Sequence, residues 1–162
     1  MKEFSRRRFV LGTASVAAAG ALAGCSGNGN GNGNGNGNGN GDTPEGRADA
    51  FLNEVDARGY DGMADETGQD EIVIEVGAGD SGLAFSPPGI IVDAGTTIVW
   101  EWTGNGGNHN VNSTDESDFD FESDLTDEAG STFEQTFDEE GVATYECSPH
   151  VGSRMFAAVA IQ

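Results

Sequence analysis

The chain has 162 residues, enough for one ordinary domain with additional segments, and its formal net charge is −21. Four of its 7 basic residues lie before position 9, so the chain from Cys25 onwards has 3 basic and 27 acidic residues. This charge repels phosphate, which excludes nucleic acid as a partner, and it repels anionic lipid headgroups, so any attachment to a membrane must be covalent or hydrophobic.

The excess of acidic residues also indicates adaptation to high salt. Carboxylates that repel one another oppose a compact state, and salt shortens the range of that repulsion to roughly 3 Å at 1 M. An acidic protein from an ordinary medium is the alternative interpretation. The acid-rich stretch 115–128 is accordingly interpreted as a solvated surface, with a docking face for a basic partner or a loose cation site as the alternatives. It does not match the spacing of an EF-hand loop.

Residues 1–24 have the features of a signal that is removed from the mature protein. The run SRRRFVL at 5–11 resembles a twin-arginine export motif, and the apolar run 10–23 is too short for a comfortable membrane span. The sequence Leu-Ala-Gly-Cys at 22–25 resembles a lipobox, which implies that Cys25 carries a lipid. A simple cleaved signal with an incidental cysteine is the alternative.

Glycine and asparagine alternate strictly from Gly27 to Gly41, within a linker over residues 25–43. Such a sequence has no apolar side chains to bury, so we expect it to be disordered. Fifteen residues of a glycine-rich coil have a root-mean-square reach of roughly 20 Å. The linker would therefore let a lipid-anchored domain move above a membrane.

A short helical and irregular part, the lead-in segment, follows over residues 44–68. Thr43 and Pro44 are typical of a helix cap and first helical position, and the apolar spacing after them predicts a short amphipathic helix. The helix is expected to run to about Ala57, and Gly59 would end it. The remainder of the lead-in segment has no clear period.

Residues 69–162 have the pattern of a β domain. Ile72, Ile74 and Val76 alternate with Glu71, Val73 and Glu75, and this period of two predicts a half-buried strand. Further short candidates follow without helical patterns between them, so a β-sandwich or barrel is favoured over a βαβ arrangement. Trp100 and Trp102 share a strand face and are expected to pack together. The further candidates are Gly89–Asp93, Thr97–Trp102, Asn108–Asn112, Thr132–Phe137, Val142–Cys147 and Phe156–Ile161.

Cys147 is the only cysteine that remains if Cys25 carries a lipid. A buried core thiol is one interpretation of it. However, His150 and Met155 lie within the same nine residues, and the only other histidine, His109, is predicted at the end of a strand. A thiolate, two imidazoles and a thioether form the donor set of a blue-copper electron-transfer site.

Other kinds of site use some of the same residue types. Zinc also binds cysteine and histidine, but methionine is a poor zinc ligand and structural zinc sites usually have two or more cysteines. A hydrolase using Cys147 and His150 would need an orienting residue and an oxyanion hole, which the sequence does not indicate. A copper enzyme of the nitrite-reductase kind would need more histidines than the 2 present. A copper-binding or copper-delivery lipoprotein remains an alternative function.

The spacing Cys147-x-x-His150-x4-Met155, with His109-Asn110 upstream, resembles the plastocyanin-like cupredoxins. The acidic sequence with its export motif and lipobox resembles their salt-loving archaeal members, the halocyanins. The resemblance implies an all-β, Greek-key β-sandwich of the cupredoxin type, preceded by a short N-terminal helix and a disordered tether. It also implies one copper ion, alternating between Cu(I) and Cu(II), with these four side chains as ligands.

The resemblance also assigns supporting residues. Asn110 is implied to connect the two ligand segments through its side chain, and Pro149 is implied to support the ligands from outside the coordination sphere. Of the two histidines, His150 lies on the ligand loop and is expected to face solvent, which favours it as the electron port. Arg154, directly before Met155, is a departure from the small residues common in the family, and it bears on the polarity around the axial ligand.

The implied function is transport of single electrons between redox partner proteins of a membrane electron-transport chain, without catalysis of a reaction. The protein is expected to be a monomer, exported by the twin-arginine route. A lipid on Cys25 would hold it at the outer face of the cell membrane.

Overall fold

The structure is a computed structural model, and it describes residues 41–162. The predicted signal segment, Cys25 and nearly all of the glycine–asparagine linker lie outside the described residues. Among residues 41–162, no helix is long and apolar enough to cross a membrane.

Helix α1, Pro44–Glu54, begins where the sequence predicts. The Thr43 hydroxyl accepts a hydrogen bond from the Gly46 amide at 3.2 Å, which satisfies one of the free donors at the helix start. The expected end near Ala57 is wrong by three residues. The helix stops at Glu54 because Asp56 has a left-handed φ of 49°, which a continuing α-helix cannot accommodate.

The strands of the described residues are β1 Ala64–Asp65, β2 Glu71–Ala78, β3 Ala84–Ser86, β4 Gly89–Val92, β5 Thr97–Trp102, β6 Asn112–Ser113, β7 Thr132–Thr136, β8 Gly141–Glu146 and β9 Phe156–Ile161.

These strands form the two sheets of a β-sandwich, with orders β1-β4-β9-β8-β6 and β3-β2-β5-β7. Pairing is mixed, since β2 runs parallel to β5, β4 runs parallel to β9, and β8 pairs with β9 antiparallel. The predicted all-β fold with one short helix is therefore confirmed.

The predicted alternation in β2 is confirmed. Ile72, Ile74 and Val76 are buried between the sheets, whereas Val73 is 47% exposed. Alternate side chains of a strand point to opposite faces, so one face of β2 packs in the main core and the other faces solvent.

The predicted strand over 108–112 is wrong. His109 makes only an isolated bridge to Thr126, and the strand in this region is the short β6, which pairs with β8. The preceding turn explains the difference, because Gly104, Gly106 and Gly107 all have positive φ and curl the chain before it can extend.

The two tryptophans of β5 are both buried but have different contacts. Trp100 has ring contacts with Phe121, Phe133 and Tyr145, with centroid distances of 5.4–5.7 Å. The Trp102 indole N–H instead donates to the carbonyl of His109 at 3.0 Å. Trp100 therefore fills the core, and Trp102 supports the segment that carries His109.

The lead-in segment packs on the outer face of the sheet that contains β8 and β9. Ala48 and Leu52 of α1 are fully buried there, in a second apolar cluster that includes Ala158 and Ala160 of β9. The lead-in segment is thus a third layer against the sandwich.

Candidate metal centre

Two neighbouring strands bring together the ends of the ligand loop, residues 147–155. The last residue pair between β8 and β9 joins Glu146 to Phe156. Cys147 therefore follows β8 directly opposite Met155, and the Cys147 amide donates to the Met155 carbonyl at 3.0 Å. Between them a 3-10 helix, Ser148–Ser153, contains His150. One loop thus places a thiol, an imidazole and a thioether at the same end of the sheet.

His109 approaches this loop from a distant part of the chain. Its amide and carbonyl both bond to Thr126, at 2.9 and 3.0 Å, which fixes its backbone. Its ring Nε2 lies 2.8 Å from the carbonyl oxygen of Asn105. A carbonyl oxygen can only accept a hydrogen bond, so Nε2 carries the proton and the lone pair of Nδ1 is free to bind a metal.

Two glycines leave the space that the His109 ring occupies. A Cβ built on Gly106 would lie 2.9 Å from His109 Nε2 and 2.0 Å from the Gly82 carbonyl oxygen. A Cβ on Gly77 would lie 3.3 Å from the same nitrogen and 2.6 Å from the Asn105 carbonyl oxygen. Any other residue at either position would push against the ring or the backbone that orients it.

The three donor atoms converge on one point. Cys147 Sγ lies 3.4 Å from His109 Nδ1 and 3.2 Å from His150 Nδ1. The ligand atoms of these three residues all lie within 4.8 Å of one another, and the two imidazole centroids are 4.7 Å apart. Met155 adjoins this group through its backbone bonds to Cys147 and His150. The arrangement can hold one metal ion.

Burial decides the protonation of the free side chains. His109, Cys147 and Met155 have no exposed surface, whereas His150 is half-buried. Burial raises the pKa of the Cys147 thiol and lowers the pKa of His109, because each charged form loses its hydration. Burial therefore favours the neutral imidazole and the neutral thiol, and a bound metal that prefers thiolate would favour ionisation of Cys147.

Asn110 connects the two segments that contribute to the site. Its side-chain oxygen accepts from the Ser148 amide at 2.8 Å, and its side-chain nitrogen donates to the Ser148 hydroxyl at 3.2 Å. Ser148 directly follows Cys147, so these two bonds hold the His109 segment against the start of the ligand loop. Pro149 occupies the first turn of the 3-10 helix, where its missing N–H costs nothing.

The charge of Arg154 is directed away from the ligands. Arg154 has a left-handed φ of 61°, and its guanidinium forms an ion pair with Asp56 of the lead-in segment. Its side chain is 51% exposed. The departure from small residues at this position therefore places a charge at the surface beside the lead-in segment.

The structure brings the candidate donors His109, Cys147 and His150 together, but sequence reasoning missed the groups that orient them. Asn105, Trp102, Gly77 and Gly106 all act on His109, and only the cluster of glycines before it gave a local indication of a constrained turn. Their roles depend on contacts between separate loops, which no periodic pattern in a sequence reports.

Two imidazoles and a buried thiol converge at one end of a two-sheet sandwich, which defines the class as a small β-sandwich protein whose side chains can hold a metal ion. Thiolate and thioether sulfur suit Cu(I), and imidazole suits copper in both oxidation states, so the donor types fit copper. Residues 72–162 match the family model described as copper binding proteins, plastocyanin/azurin family. The chain belongs to this family.

Sequence relatives of known identity agree with this assignment. The chain is 65% identical over 163 aligned positions to halocyanin from Natronomonas pharaonis, and the match covers 100% of both chains. It is 34% identical over 99 positions to chloroplastic plastocyanin from Pisum sativum, covering 56% of this chain and 58% of that protein. Among solved structures, a purple cupredoxin from Nitrosopumilus maritimus is 29% identical with a TM-score of 0.45, covering 58% of this chain and 100% of that one.

The predicted resemblance, the cupredoxin fold and one copper ion as the cofactor are therefore confirmed. The chain is a blue copper protein of the plastocyanin type.

Proposed function

We propose that His109, Cys147, His150 and Met155 hold the copper ion and that the protein carries single electrons between redox partner proteins of a membrane electron-transport chain. The observation that supports this most strongly is the convergence of one sulfur and two imidazole nitrogens within 4.8 Å. A bound copper ion supplies one-electron chemistry, because it is stable as both Cu(I) and Cu(II).

The four side chains have different tasks. Cys147 is the thiolate ligand, and the Nδ1 atoms of His109 and His150 are the nitrogen ligands. Met155 is the weak axial donor that tunes the reduction potential. The tight hydrogen bonding of His109 and of the ligand loop holds the donors in place whether the site gains or loses an electron.

His150 is proposed as the electron port. It is half-buried, while the other three side chains have no exposed surface. Because His150 alone of the four reaches the surface, a partner can approach the site there without displacing other side chains. Val151, its neighbour, is 40% exposed and gives that part of the surface an apolar character that a partner can contact.

The burial of Cys147 also bears on the alternatives. A nucleophilic thiol must reach a substrate, and a side chain with no exposed surface cannot do so, which speaks against a hydrolase. A copper-delivery protein must release its ion to a recipient. Three ligands without exposed surface and a hydrogen-bonded loop favour retention of copper over its release.

Replacing Cys147 by serine tests the assignment of the site. We expect Cys147→Ser to abolish the intense visible absorption that thiolate-to-copper charge transfer produces, while circular dichroism in about 1 M salt shows a folded β domain. Ser153→Ala is the control, since it changes the same loop without removing a donor. Retention of the intense band in Cys147→Ser would show that the ligand assignment is wrong.

We further propose export by the twin-arginine route and attachment to the outer face of the cell membrane through a lipid on Cys25. The support is the sequence of residues 1–25 together with the acidity of the domain, which gives it no other affinity for an anionic membrane.

Cys25→Ser is expected to release the protein from the membrane into the medium, as measured by fractionation of cells that express it. Ser26→Ala is the control and should leave the protein in the membrane fraction. If Cys25→Ser stays in the membrane pellet, the apolar signal segment is itself the anchor.

A further inference from the structure

All three positively charged side chains in the described part of the chain lie where the lead-in segment meets the sandwich. Arg47 of α1 forms two bonds of 2.8 Å to the carboxylate of Asp118. Arg58 bonds to the ligand loop, and Arg154 of the ligand loop pairs with Asp56. In a domain so rich in acid, every available base thus serves to attach the lead-in segment.

Two of these attachments act on the ligand loop immediately before Met155. The Arg58 side-chain Nε donates to the Ser153 carbonyl at 3.1 Å, and the Arg58 backbone amide donates to the Arg154 carbonyl at 2.9 Å. The Arg154–Asp56 pair is largely exposed, so it contributes less than the part-buried bond from the Arg58 side chain. Arg58 is therefore the main connection.

The turn that Arg58 holds is a strained one. Arg154 has a φ of 61°, a conformation that a residue other than glycine keeps only where its surroundings enforce it. The two carbonyls that accept from Arg58 belong to this residue and to the one before it. The bonds from Arg58 thus fix the direction in which the chain enters Met155.

The lead-in segment is itself firmly placed, so it can transmit this constraint. Leu52 of α1 is fully buried, and a Cβ built on Gly89 of β4 would lie only 2.8 Å from the Leu52 Cδ1 atom. Ala57, adjacent to Arg58, is also buried. Its amide donates to the Leu52 carbonyl at 3.0 Å, which joins it to the end of α1.

We propose that Arg58 is a positioning residue for the axial ligand. It holds the Ser153–Arg154 turn so that Met155 keeps its place beside Cys147 and His150, and in this way the lead-in segment sets the reduction potential. The proposal rests on the proposed role of Met155 as axial ligand.

The experiment compares Arg58→Ala with Arg47→Ala in the full chain. Both variants lose one positive charge and one attachment of the lead-in segment. However, Arg47 bonds to Asp118, whose carboxylate accepts a hydrogen bond from the Val142 amide. Val142 lies near the start of β8, whereas Cys147 follows its end. Voltammetry at about 1 M salt, where the screening length is roughly 3 Å, suppresses the direct effect of the lost charge.

Arg58→Ala is expected to raise the reduction potential, because a loosened Met155 donates more weakly and stabilises Cu(II) less. The rise should be smaller than the one expected for Met155→Leu, which removes the thioether altogether. Arg47→Ala should leave the potential unchanged although it lowers the melting temperature. Arg58→Lys keeps the charge and one donor, so its potential should lie between those of the wild type and Arg58→Ala.

The metal-free protein, kept folded in about 1 M salt, supplies a second readout. In Arg58→Ala the amides of Cys147 and Met155 should exchange their hydrogens about tenfold faster than in the wild type, the factor expected for losing one charge-assisted hydrogen bond. In Arg47→Ala the exchange at these two amides should not change.

Two results would overturn the proposal. One is an unchanged potential and unchanged exchange in Arg58→Ala, or in Arg58→Lys should the alanine variant not fold. The other is a downward shift of the potential that disappears with salt, since that is an effect of charge alone. A wild-type protein without the intense copper band would contradict the proposed function instead, and the amide exchange would still test whether Arg58 orders the turn.

Discussion

Solvent reaches the four proposed ligands very unequally. His109, Cys147 and Met155 have no exposed surface, and only His150 is half-buried. In such surroundings an interaction with the metal is screened little, so small changes in one donor alter the balance between Cu(I) and Cu(II). Because only His150 reaches solvent, a partner can contact the site there while the other donors stay in surroundings that screen little.

Met155→Leu is expected to keep the copper and the intense colour but to raise the reduction potential, as measured by voltammetry. Although thioether sulfur suits Cu(I), a lone pair stabilises the doubly charged Cu(II) more strongly, so loss of this weak donor destabilises Cu(II) more than Cu(I). Because leucine conserves the volume of methionine, the free energy of unfolding should change by less than about 1.5 kcal/mol.

Met63→Leu is the matched control, because Met63 belongs to the lead-in segment and packs against the second apolar cluster. Its potential should equal that of the wild type. An unchanged or lower potential in Met155→Leu would rule out Met155 as the axial ligand.

The turn between β5 and His109 is the element that decides where the first nitrogen donor lies. Thr103 stabilises its start, since the hydroxyl donates to the Gly77 carbonyl at 2.7 Å and accepts from the Asn105 amide at 3.2 Å. The Asn105 carbonyl then holds His109 Nε2 at 2.8 Å. The turn thus acts as a rigid support for the imidazole.

Gly106→Ala should lower both the melting temperature of the metal-free protein and the affinity for copper. Its left-handed conformation, with a φ of 83°, costs alanine about 1 kcal/mol. The overlap of the new methyl group with Gly82 and His109 adds roughly 1–3 kcal/mol more and displaces the ring.

Gly107→Ala separates the cost of the left-handed conformation from the displacement of the His109 ring. Gly107 has a φ of 94°, but a Cβ added there would meet no atom of another segment of residues 41–162 within 4 Å. The variant should show the conformational cost and normal copper affinity. Equal losses in both variants would mean that the turn does not position His109.

At the scale of the whole molecule, charge and packing act in opposite directions. The chain from Cys25 onwards has 27 acidic and 3 basic residues, and all three bases are used where the lead-in segment meets the sandwich. Repulsion among the remaining carboxylates opposes the compact state, whereas burial in two apolar clusters favours it.

The metal-free protein is therefore expected to unfold in dilute buffer and to refold as salt is added, while the copper-bound protein stays folded at lower salt. Copper held only by the folded state stabilises it by about 2.7 kcal/mol at a free concentration 100 times the dissociation constant. Circular dichroism of both forms across a salt series measures this. Equal stability of the metal-free form at low and high salt would show that the acidic surface does not reflect adaptation to salt.

Local patterns explain which parts of the structure could be predicted. The alternation in β2, the cap at Thr43 and the spacing of the donors in the ligand loop each depend on residues near one another in the chain. The two-residue β1 and the three-residue β3 were not predicted, because such short strands exist only through their pairing with β4 and β2. The end of α1 was misplaced for a similar reason, since Asp56 turns where the chain meets the ligand loop.

Residue type and spacing were enough to predict the candidate donors, their order along the chain and the family. Packing of separate segments, by contrast, brings His109 to Cys147, 38 residues further along the chain, and sets the Asn105 carbonyl against Nε2, which leaves Nδ1 free. It also decided that Arg58 reaches the turn before Met155. Contacts of this kind arise when separate segments are packed against one another, and no local pattern encodes which carbonyl will face which side chain.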